Sequence, residues 1–461
     1  MPRISKKNAP AWEASAVESS GDDVTIAIVG GGIAGLVLAL SLHKNIGVVP
    51  TVYEQSKTFT DGVGGAIGMY PNGLRVIRDI SPDLLATIRS AGYPYLYRRW
   101  YRHDGTQVVS AKECVLVPSG SDEDELAPIG IRRWKLQRAL CDACEAAGIP
   151  IHFAKRVESV HETCQIGTRL IFSDGSKINA RLVFGADGVK SKVRDSVMHG
   201  PGKTEPEYTG VTCLMGSSSV PRPNRGICFP SSVTTKCHMC TYPTGPNETI
   251  FQIYFPTEVE NPESWGTLSS GQEKREVTEL ANQLEADGWA AQFVEPLRKA
   301  TPGSIVRVGL RSRDPLTKWF NLAEKEGKVC GAIVLLGDAA HPPVPYIGQG
   351  AMMAIEDAGT IAFLLKKLCV DSNSGNFSMT NFRKAMTAYE RLRIPRTGNV
   401  LGKSKVLGKT QQDRANGSWY NYFREWSIWI QVKLYGTLPI MKPGAMYSYR
   451  DDVTKCLAAG E

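Results

Sequence analysis

The sequence predicts an α/β fold of the Rossmann type, interleaved with an antiparallel β-sheet domain and followed by a helical C-terminal extension. Three observations predict it: a glycine-rich turn between an apolar strand and an apolar helix, an acidic turn near the middle of the chain, and a second acidic turn after another apolar strand. The chain has 461 residues, more than one simple core accommodates, so two interleaved domains are expected.

The glycine-rich turn lies between a predicted strand at residues 24–29 and a predicted helix at residues 33–42. Gly30 permits the tight turn, Gly32 lets the backbone approach a pyrophosphate, and Gly35 lets the helix pack close to the strand. The N-terminus of that helix would direct its N–H groups at the phosphates. This pattern therefore predicts a dinucleotide site.

A second short strand, residues 51–53, ends at Glu54. In a dinucleotide-binding fold this is where an acidic residue accepts hydrogen bonds from a ribose 2′-hydroxyl. A carboxylate there disfavours a 2′-phosphate. The site is therefore predicted to suit FAD or NAD and not NADP.

Two later segments extend the pattern: residues 181–194 contain Asp187-Gly188, and residues 337–350 contain Gly337-Asp338 followed by Pro345. Together with the glycine-rich turn, these segments resemble the FAD-dependent aromatic hydroxylases, the group A flavoprotein monooxygenases. Within that family the salicylate-hydroxylase-like branch of fungal natural-product pathways is the most similar. The resemblance implies a para-hydroxybenzoate-hydroxylase-like fold.

The resemblance also implies roles for individual residues. Asp338 would accept hydrogen bonds from the ribityl hydroxyls, Arg133 would lie along the flavin, and the backbone near Gly65 would pass the isoalloxazine ring. Asp187 and Arg194 would hold the dinucleotide domain together and line the nicotinamide approach. Simpler readings stay open, because Asp338 could only cap a helix and Asp187-Gly188 could only form a turn.

A further implied element is the segment that runs under the flavin and opens a helix toward residue 362. The N–H groups of this helix would stabilise charge at the N1–C2=O edge of the flavin. The implied flavin contacts in this segment are Pro345, Gly348, Gln349, Gly350 and Ala351.

The middle of the chain predicts the substrate-binding part. Residues 209–256 alternate apolar and polar side chains, which is typical of antiparallel strands, and residues 271–297 have helical periodicity. We expect a flexible tail at 1–23, the first part of the FAD-binding domain at 24–207, a mainly substrate-binding domain at 208–325, the last part of the FAD-binding domain at 326–400 and an aromatic-rich extension at 401–461.

The extension carries seven aromatic residues between positions 419 and 435, amid several lysines. It predicts either an interfacial helix with an aromatic face or a helix packed across the FAD-binding domain or over the substrate entrance. The sequence holds no long uncharged apolar run, so membrane association is expected only through this extension.

Composition excludes several classes of function. The net charge of +8 is spread along the chain, so nucleic acid is not an expected partner. The eleven cysteines are odd in number and lack a disulfide framework, which predicts a reducing, cytoplasmic location. The Cys141–Cys144 and Cys237–Cys240 pairs are too far apart in sequence for a zinc finger or ribbon, and no metal site is expected.

The resemblance implies the chemistry of a monooxygenase. NAD(P)H, a transient co-substrate, would reduce non-covalently bound FAD, and O2 would add at the flavin C4a to give a hydroperoxide that oxidises a polyketide, terpenoid or aromatic substrate. The substrate pocket is expected above Pro345, facing strands near residues 212–215 and 238–242.

The acid–base group depends on a departure from the family. Phenol-oxidising members bind a phenolate through an Arg and a Tyr on neighbouring strands; the Tyr corresponds to Tyr242, but the Arg position holds Met215. A methionine cannot stabilise a phenolate, so this favours epoxidation of an alkene. Tyr242 and His238 remain the candidate catalytic residues, and a phenol hydroxylase remains the alternative.

Two other classes of protein share this fold: a flavin halogenase and a non-catalytic FAD-fold binding protein. The halogenase motif has no counterpart here, because Trp426-Ser-Ile-Trp429 has the wrong spacing and position. Retention of Asp338, Pro345 and Arg133 argues against a non-catalytic protein.

Overall fold

The computed structural model describes residues 24–459 apart from residues 60, 63, 113–125, 164–166, 199–204, 222–225, 233, 261–262, 266–268, 314, 372, 413–417 and 437–445. The predicted tail at 1–23 lies outside the described residues.

The strands are β1 (Val24–Val29), β2 (Thr51–Tyr53), β3 (Ala66–Met69), β4 (Tyr93–Pro94), β5 (Tyr97–Arg102), β6 (Gln107–Lys112), β7 (Ile129–Arg132), β8 (Ile151–His152), β9 (Val157–Thr163), β10 (Gly167–Phe172), β11 (Lys177–Gly185), β12 (Glu207–Ser218), β13 (Gly226–Ser231), β14 (His238–Gly245), β15 (Glu248–Pro256), β16 (Ser264–Trp265), β17 (Val306–Ser312), β18 (Phe320–Lys325) and β19 (Lys328–Leu335). The α-helices are α1 (Ile33–Ile46), α2 (Pro71–Ile80), α3 (Pro82–Ala91), α4 (Arg133–Ala146), α5 (Lys192–Val197), α6 (Ser270–Ala286), α7 (Ala291–Arg298), α8 (Gly350–Leu368), α9 (Phe382–Gln412), α10 (Ser418–Tyr435) and α11 (Tyr449–Ala458).

The first sheet has a parallel centre in the order β19-β11-β1-β2-β8, with β18 antiparallel at one edge and the β9–β10 pair joined to β11. The described side chains of its central strands β1, β2 and β19 and of the second half of β11 are largely buried and apolar, as parallel strands covered on both faces require. Helices α1 and α8 pack together in the same hydrophobic core. The carboxyl ends of these parallel strands, where α/β folds bind ligands, carry the glycine-rich turn.

The second sheet is mainly antiparallel, in the order β16-β17-β12-β15-β14-β13-β5-β6. Residues 209–256 supply its centre as predicted, and α6 and α7 pack on it through an apolar cluster of their own. Strand β13 also pairs in parallel with β5, which brings residues 97–112 into this sheet. The predicted fold class is thereby confirmed.

A third, three-stranded sheet, β3-β7-β4, lies against the second sheet. Its contact with β14 is close, because a Cβ added to Gly130 would lie 2.3 Å from the carbonyl oxygen of Pro243. Strand β3 is followed by α2 and strand β7 by α4. The small sheet therefore connects these two helices to β14, the strand that carries Tyr242.

The C-terminal extension is helical, as predicted. Helix α10 packs on β5 and β6, where Ile428 and Val432 join a small apolar cluster with Val109. Arg102 and Glu425 form a bidentate ion pair beneath the helix, with contacts of 2.6 and 3.0 Å to one carboxylate oxygen. Among the described residues, none of the helices combines the length and the apolar content that crossing a bilayer requires.

Candidate active site

A cavity of about 830 Å³ lies between the first and second sheets. It is lined by the glycine-rich turn, residues 66–68, Tyr70, Tyr95 and Trp100, Arg133 at the start of α4, residues 186 and 188, strands β13 to β15, the segment after residue 337, and helices α9 and α10. Its lining residues include Gly32, Ile33, Ala34, Ala66, Ile67, Gly68, Tyr70, Arg133, Gly188, Ile227, Phe229, His238, Tyr242, Tyr254, Asp338, Pro345, Gly348, Gly350, Ala351 and Phe423.

The glycine-rich turn presents backbone to this cavity. Gly30 has a φ of 107°, and a Cβ there would lie 2.4 Å from the carbonyl oxygen of Ala186. A Cβ on Gly35 would lie 2.0 Å from the carbonyl oxygen of Gly30, so the helix and the turn are in contact. At Gly32 an added Cβ meets nothing within 4 Å, so the space above it is open to a ligand such as a pyrophosphate.

Helix α1 begins directly after this open space. The N–H groups of Ile33, Ala34 and Gly35 have no acceptor within the helix, whose first internal bond runs from Leu36 to the carbonyl of Gly32. Ile33 and Ala34 line the cavity, so this positive end of the helix is directed at it. An anionic group bound here would be stabilised.

Glu54 supports the glycine-rich turn from below. One carboxylate oxygen accepts the Gly31 N–H at 2.7 Å, and the other accepts the Ser56 N–H at 2.8 Å. The side chain is only 8% exposed. Besides the ribose contact expected from the sequence, Glu54 therefore fixes the backbone conformation of the turn.

Arg133 and Asp338 place opposite charges inside the cavity. Both side chains line the cavity and are accessible from it, while protein surrounds each of them on its other sides. Burial lowers the pKa of the Arg133 guanidinium, and Asp338 and Glu54 oppose that shift. Burial likewise raises the pKa of the Asp338 carboxyl, with His341 and Arg133 acting against it. Two such groups match a ligand that carries both hydroxyl donors and carbonyl acceptors.

The segment after Asp338 reaches α8 as the resemblance implied. Residues Pro345–Ile347 form a 3₁₀ turn, Gly348 adopts a left-handed conformation with φ 67°, and α8 begins at Gly350. Pro345, Gly350 and Ala351 line the cavity. Gln349 is buried, and its side-chain oxygen accepts a hydrogen bond from the Asn72 amide at 2.9 Å.

Asp187 lies at the N-terminus of α5. Its carboxylate accepts the Ser191 hydroxyl at 2.5 Å and the Lys192 N–H at 2.8 Å, while its neighbour Gly188 lines the cavity. Arg194 is fully buried and donates to the carbonyls of Ala339 and Ala340 at 3.2 and 3.1 Å. Asp187 thus fixes the start of α5, and Arg194 connects this helix to the turn that carries Asp338.

The cavity wall differs from the expected one on the side of β12. Within the described part of the chain, none of residues 212–215 lines the cavity. The Met215 sulfur lies instead behind Gly65, where it would be 2.5 Å from an added Cβ. The Gly65 carbonyl accepts the Arg133 N–H at 3.0 Å, and it is the following residues, Ala66 to Gly68, that face the cavity. On the side of the second sheet, the cavity is lined instead by residues of β13, β14 and β15.

Tyr242 lines the cavity and holds the two domains together. Its hydroxyl donates to the Ala66 carbonyl at 2.7 Å and accepts from the Gln252 amide at 3.3 Å. The Gln252 oxygen in turn accepts the Tyr254 hydroxyl at 3.0 Å. Burial raises the pKa of Tyr242 well above its ordinary value, so its hydroxyl keeps its proton.

His238 is part of an aromatic stack on the cavity wall. Its ring is parallel to that of Tyr254, with centroids 4.8 Å apart and an interplanar angle of 8°, and Tyr346 lies 5.5 Å away. Both Tyr residues line the same cavity. The structure thus brings His238 and Tyr242 to one site, on a single strand.

A buried cation beside the cavity was not singled out from the sequence. Arg98 is 1% exposed and donates to the Tyr70 hydroxyl at 3.1 Å, with its guanidinium 5.7 Å from the centre of that ring. Tyr70 lines the cavity. The sequence offered no signal for this pair, because Arg98 lies on β5, which joins the second sheet only through its parallel pairing with β13.

A buried charge network supports the floor of the site. Asp357 accepts from His341 at 2.5 Å, from Arg393 at 2.7 Å and from the Gly337 N–H at 2.9 Å. Glu356 accepts from Arg393 at 2.6 Å and from Asn72 at 2.6 Å. Against the effect of burial, Arg393 and Arg396 lower the pKa of Glu356, and His341 and Arg393 lower the pKa of Asp357. The network fixes the turn that positions Asp338.

The open space at Gly32, the start of α1 and the opposed charges of Arg133 and Asp338 fit a flavin dinucleotide. The sequence matches the family model described as an FAD binding domain over residues 23–373. It is 31% identical to 3-amino-4-hydroxybenzoate 2-monooxygenase of Streptomyces cremeus, a match that covers 84% of this chain and 87% of the relative. The chain belongs to the FAD-dependent monooxygenases.

Two further comparisons agree with this family. 6-Hydroxynicotinate 3-monooxygenase of Bordetella bronchiseptica is 29% identical over 80% of this chain and 90% of its own. The crystal structure of Klebsiella pneumoniae HpxO complexed with FAD and uric acid superposes with a TM-score of 0.71 at 20% identity, covering 91% of this chain and 97% of that one. The latter similarity concerns the fold.

The protein is therefore an oxidoreductase with FAD as its cofactor. Membership of this family argues against a non-catalytic FAD-fold binding protein. The two sequence relatives named above are bacterial. They support the family and not the fungal branch within it.

Proposed function

We propose that this FAD-dependent monooxygenase uses NADH or NADPH and O2 to hydroxylate an aromatic small molecule that carries an oxygen substituent. The observation that carries the proposal is Tyr70, which lines the cavity and accepts a hydrogen bond from the buried Arg98. The cavity lies between the glycine-rich turn and the second sheet, which we assign to FAD and to the substrate. The names of both sequence relatives describe oxygenation of a hydroxylated aromatic acid, which supports the same class of substrate.

Several residues would hold the cofactor. The backbone at Gly32 and the start of α1 would take the pyrophosphate, and Asp338 and Arg133 would take the polar groups of the flavin half. The start of α8, at Gly350 and Ala351, would place a helix N-terminus near the ring. When bound, FAD supplies the activation of O2, and the protein supplies orientation and a dry surrounding.

The Tyr70–Arg98 pair would act on the oxygen substituent of the substrate. A cation within hydrogen-bonding distance of a phenol oxygen favours negative charge on that oxygen and makes the hydroxyl a stronger donor. Arg98 is buried, so this effect is weakly screened by solvent. Tyr70 can thereby stabilise the charge that develops on a substrate oxygen as its ring becomes more nucleophilic.

Tyr242 and His238 are assigned different tasks. The Tyr242 hydroxyl donates to Ala66, so we assign it to positioning the β3 segment against the substrate sheet. His238 stacks on Tyr254 and would form part of an aromatic wall for a flat substrate. Neither assignment requires the residue to change its protonation state.

The proposal is tested by comparing Tyr70→Phe with the matched control Tyr95→Phe, because both tyrosines line the cavity. We expect Tyr70→Phe to lower product formation by about 10²-fold, the lower end of the range for lost acid–base assistance. The FAD content and the rate of NADPH oxidation without substrate should stay unchanged. Equal effects of the two substitutions would count against the assignment of Tyr70.

Epoxidation of an alkene is the second candidate, and Met215 favours it. The position that holds an Arg in phenol-oxidising members lies behind Gly65 as a methionine. A polyketide or terpenoid substrate, as in the fungal branch, would need no charged group there. Mass spectrometry shows the gain of one oxygen in either case, and NMR spectroscopy of the product separates the two, since epoxidation removes an alkene double bond while hydroxylation retains the aromatic ring.

We also propose a reducing, cytoplasmic location. The nine cysteines among the described residues are free thiols. Burial raises the pKa of Cys144 and of Cys213 to about 12, so these thiols are unreactive near neutral pH.

A further inference from the structure

Helix α10 exposes an unusually apolar surface. We define its aromatic face as Trp419, Tyr422, Phe423, Trp426 and Trp429, which recur at the spacing of one side of a helix. Trp419 is 79% exposed, Phe423 66% and Trp426 62%. Exposed clusters of this kind mark sites of interaction.

The opposite side of α10 is fixed to the protein. Ile428 and Val432 pack against β5 and β6, and Glu425 forms the bidentate pair with Arg102. The Arg102 guanidinium also lies 5.6 Å from the centre of the Tyr422 ring. The aromatic face is therefore held outward by packing and an ion pair on the inner side of the helix.

The charge on the described residues of α10 and of the adjoining end of α9 is mainly positive. Lys405 and Lys409 on α9 and Lys433 on α10 are exposed. Glu425 is the one acidic residue in residues 397–412 and 418–435, and it is buried against Arg102. This surface complements an anionic partner and would repel a second copy of itself.

The third side of the same helix lines the active-site cavity. Tyr420, Ser427 and Gln431 contribute to its wall, together with Leu407 of α9. Phe423 belongs both to the aromatic face and to the cavity lining. The cavity therefore reaches the surface beside the aromatic face.

We propose that α10 and the adjoining end of α9 form a docking surface for an anionic lipid bilayer, on which the protein lies without spanning the membrane. Trp and Tyr are favoured at the membrane–water interface, and basic residues beside them bind acidic headgroups. Docking in this orientation places the opening of the cavity at the lipid surface, where amphiphilic aromatic molecules that carry a hydroxyl group partition.

The test is co-sedimentation of the full-length, FAD-loaded protein with vesicles of phosphatidylcholine alone or of phosphatidylcholine mixed with phosphatidylserine. We expect binding to the mixed vesicles that weakens as salt is raised. The triple variant Trp419→Ser, Trp426→Ser, Trp429→Ser should lose binding by at least about tenfold. The matched control Val49→Ser, Val259→Ser removes exposed apolar residues elsewhere and should bind as the unchanged protein does.

A second variant tests the proposal even if the triple tryptophan variant does not fold. Replacing Lys405, Lys409 and Lys433 by Gln should weaken binding to the mixed vesicles by about fivefold for each charge. No sedimentation with the mixed vesicles, or sedimentation that the aromatic variant leaves unchanged, would overturn the proposal. So would a dimer in analytical ultracentrifugation that the aromatic variant dissociates without any vesicle binding. NADPH oxidation and FAD content report separately on the enzyme, so failure of docking and failure of the proposed activity are distinguishable.

Discussion

Asp338 and Arg133 place opposite charges on the cavity wall, and we assign them to the polar groups of the flavin. Substitution of the aspartate is the more direct test of where FAD binds. Removing a charged hydrogen-bond acceptor from a ligand hydroxyl costs about 1.5–3 kcal/mol. We therefore expect Asp338→Ala to weaken FAD binding by about ten- to a hundredfold or more. Titration of the apoprotein by flavin fluorescence measures this, with Asp174→Ala, an exposed aspartate, as control. An unchanged affinity in Asp338→Ala would mean that FAD lies elsewhere.

Replacing Tyr242 by Phe distinguishes a positioning role of this residue from an acid–base role. Because burial raises its pKa well above the ordinary value, Tyr242 remains protonated throughout the range in which the enzyme is assayed. The activity between neutral and mildly alkaline pH should therefore not titrate through Tyr242. We expect Tyr242→Phe to retain product formation within about tenfold, with the same pH profile. A loss of about 10²-fold with flavin reduction intact would instead restore an acid–base role.

At the scale of elements, the contact between α8 and α9 depends on Arg393. This residue is fully buried and pairs with both Glu356 and Asp357. Removing one partner of a buried ion pair leaves an uncompensated charge and costs about 3–5 kcal/mol. Denaturant titration of Arg393→Leu should show a loss of this size. Arg383→Leu is the control on the same helix, since Arg383 pairs with Glu324 at the surface, where such pairs contribute about 0–1 kcal/mol. Similar losses in the two variants would contradict this account of the network.

The elements near the glycine-rich turn were predictable because their signals are local. The apolar run at β1 and the short strand β2 have the bounds expected from the sequence, and α8 begins at Gly350 as implied. The position of Arg98 beside Tyr70 was not predictable, since it depends on β5 pairing with β13, a strand far away in the sequence. For the same reason Met215 was wrongly expected to face the cavity. Its orientation follows from the packing of the β3 segment on the second sheet.

At the scale of the whole molecule, the cavity exists only where three bodies meet: the parallel sheet, the antiparallel sheet and the C-terminal helices. The Arg102–Glu425 pair joins the antiparallel sheet to α10, and the Tyr242–Ala66 hydrogen bond joins it to the three-stranded sheet. Motifs in the sequence identify the FAD-binding side of such a cavity. The substrate side is assembled from tertiary contacts, so its chemistry has to be measured.

The most direct measurement is the fate of molecular oxygen in a single turnover. The protein is loaded with FAD, reduced with NADH or with NADPH in parallel, and mixed with a hydroxylated aromatic acid in buffer equilibrated with ¹⁸O₂. The products are analysed by mass spectrometry. We predict a product that retains the aromatic ring and carries one ¹⁸O atom, with markedly less of it from Tyr70→Phe. The opposite result would contradict aromatic hydroxylation: the aromatic acids yield only hydrogen peroxide as the nicotinamide is consumed, while an alkene gains one ¹⁸O atom.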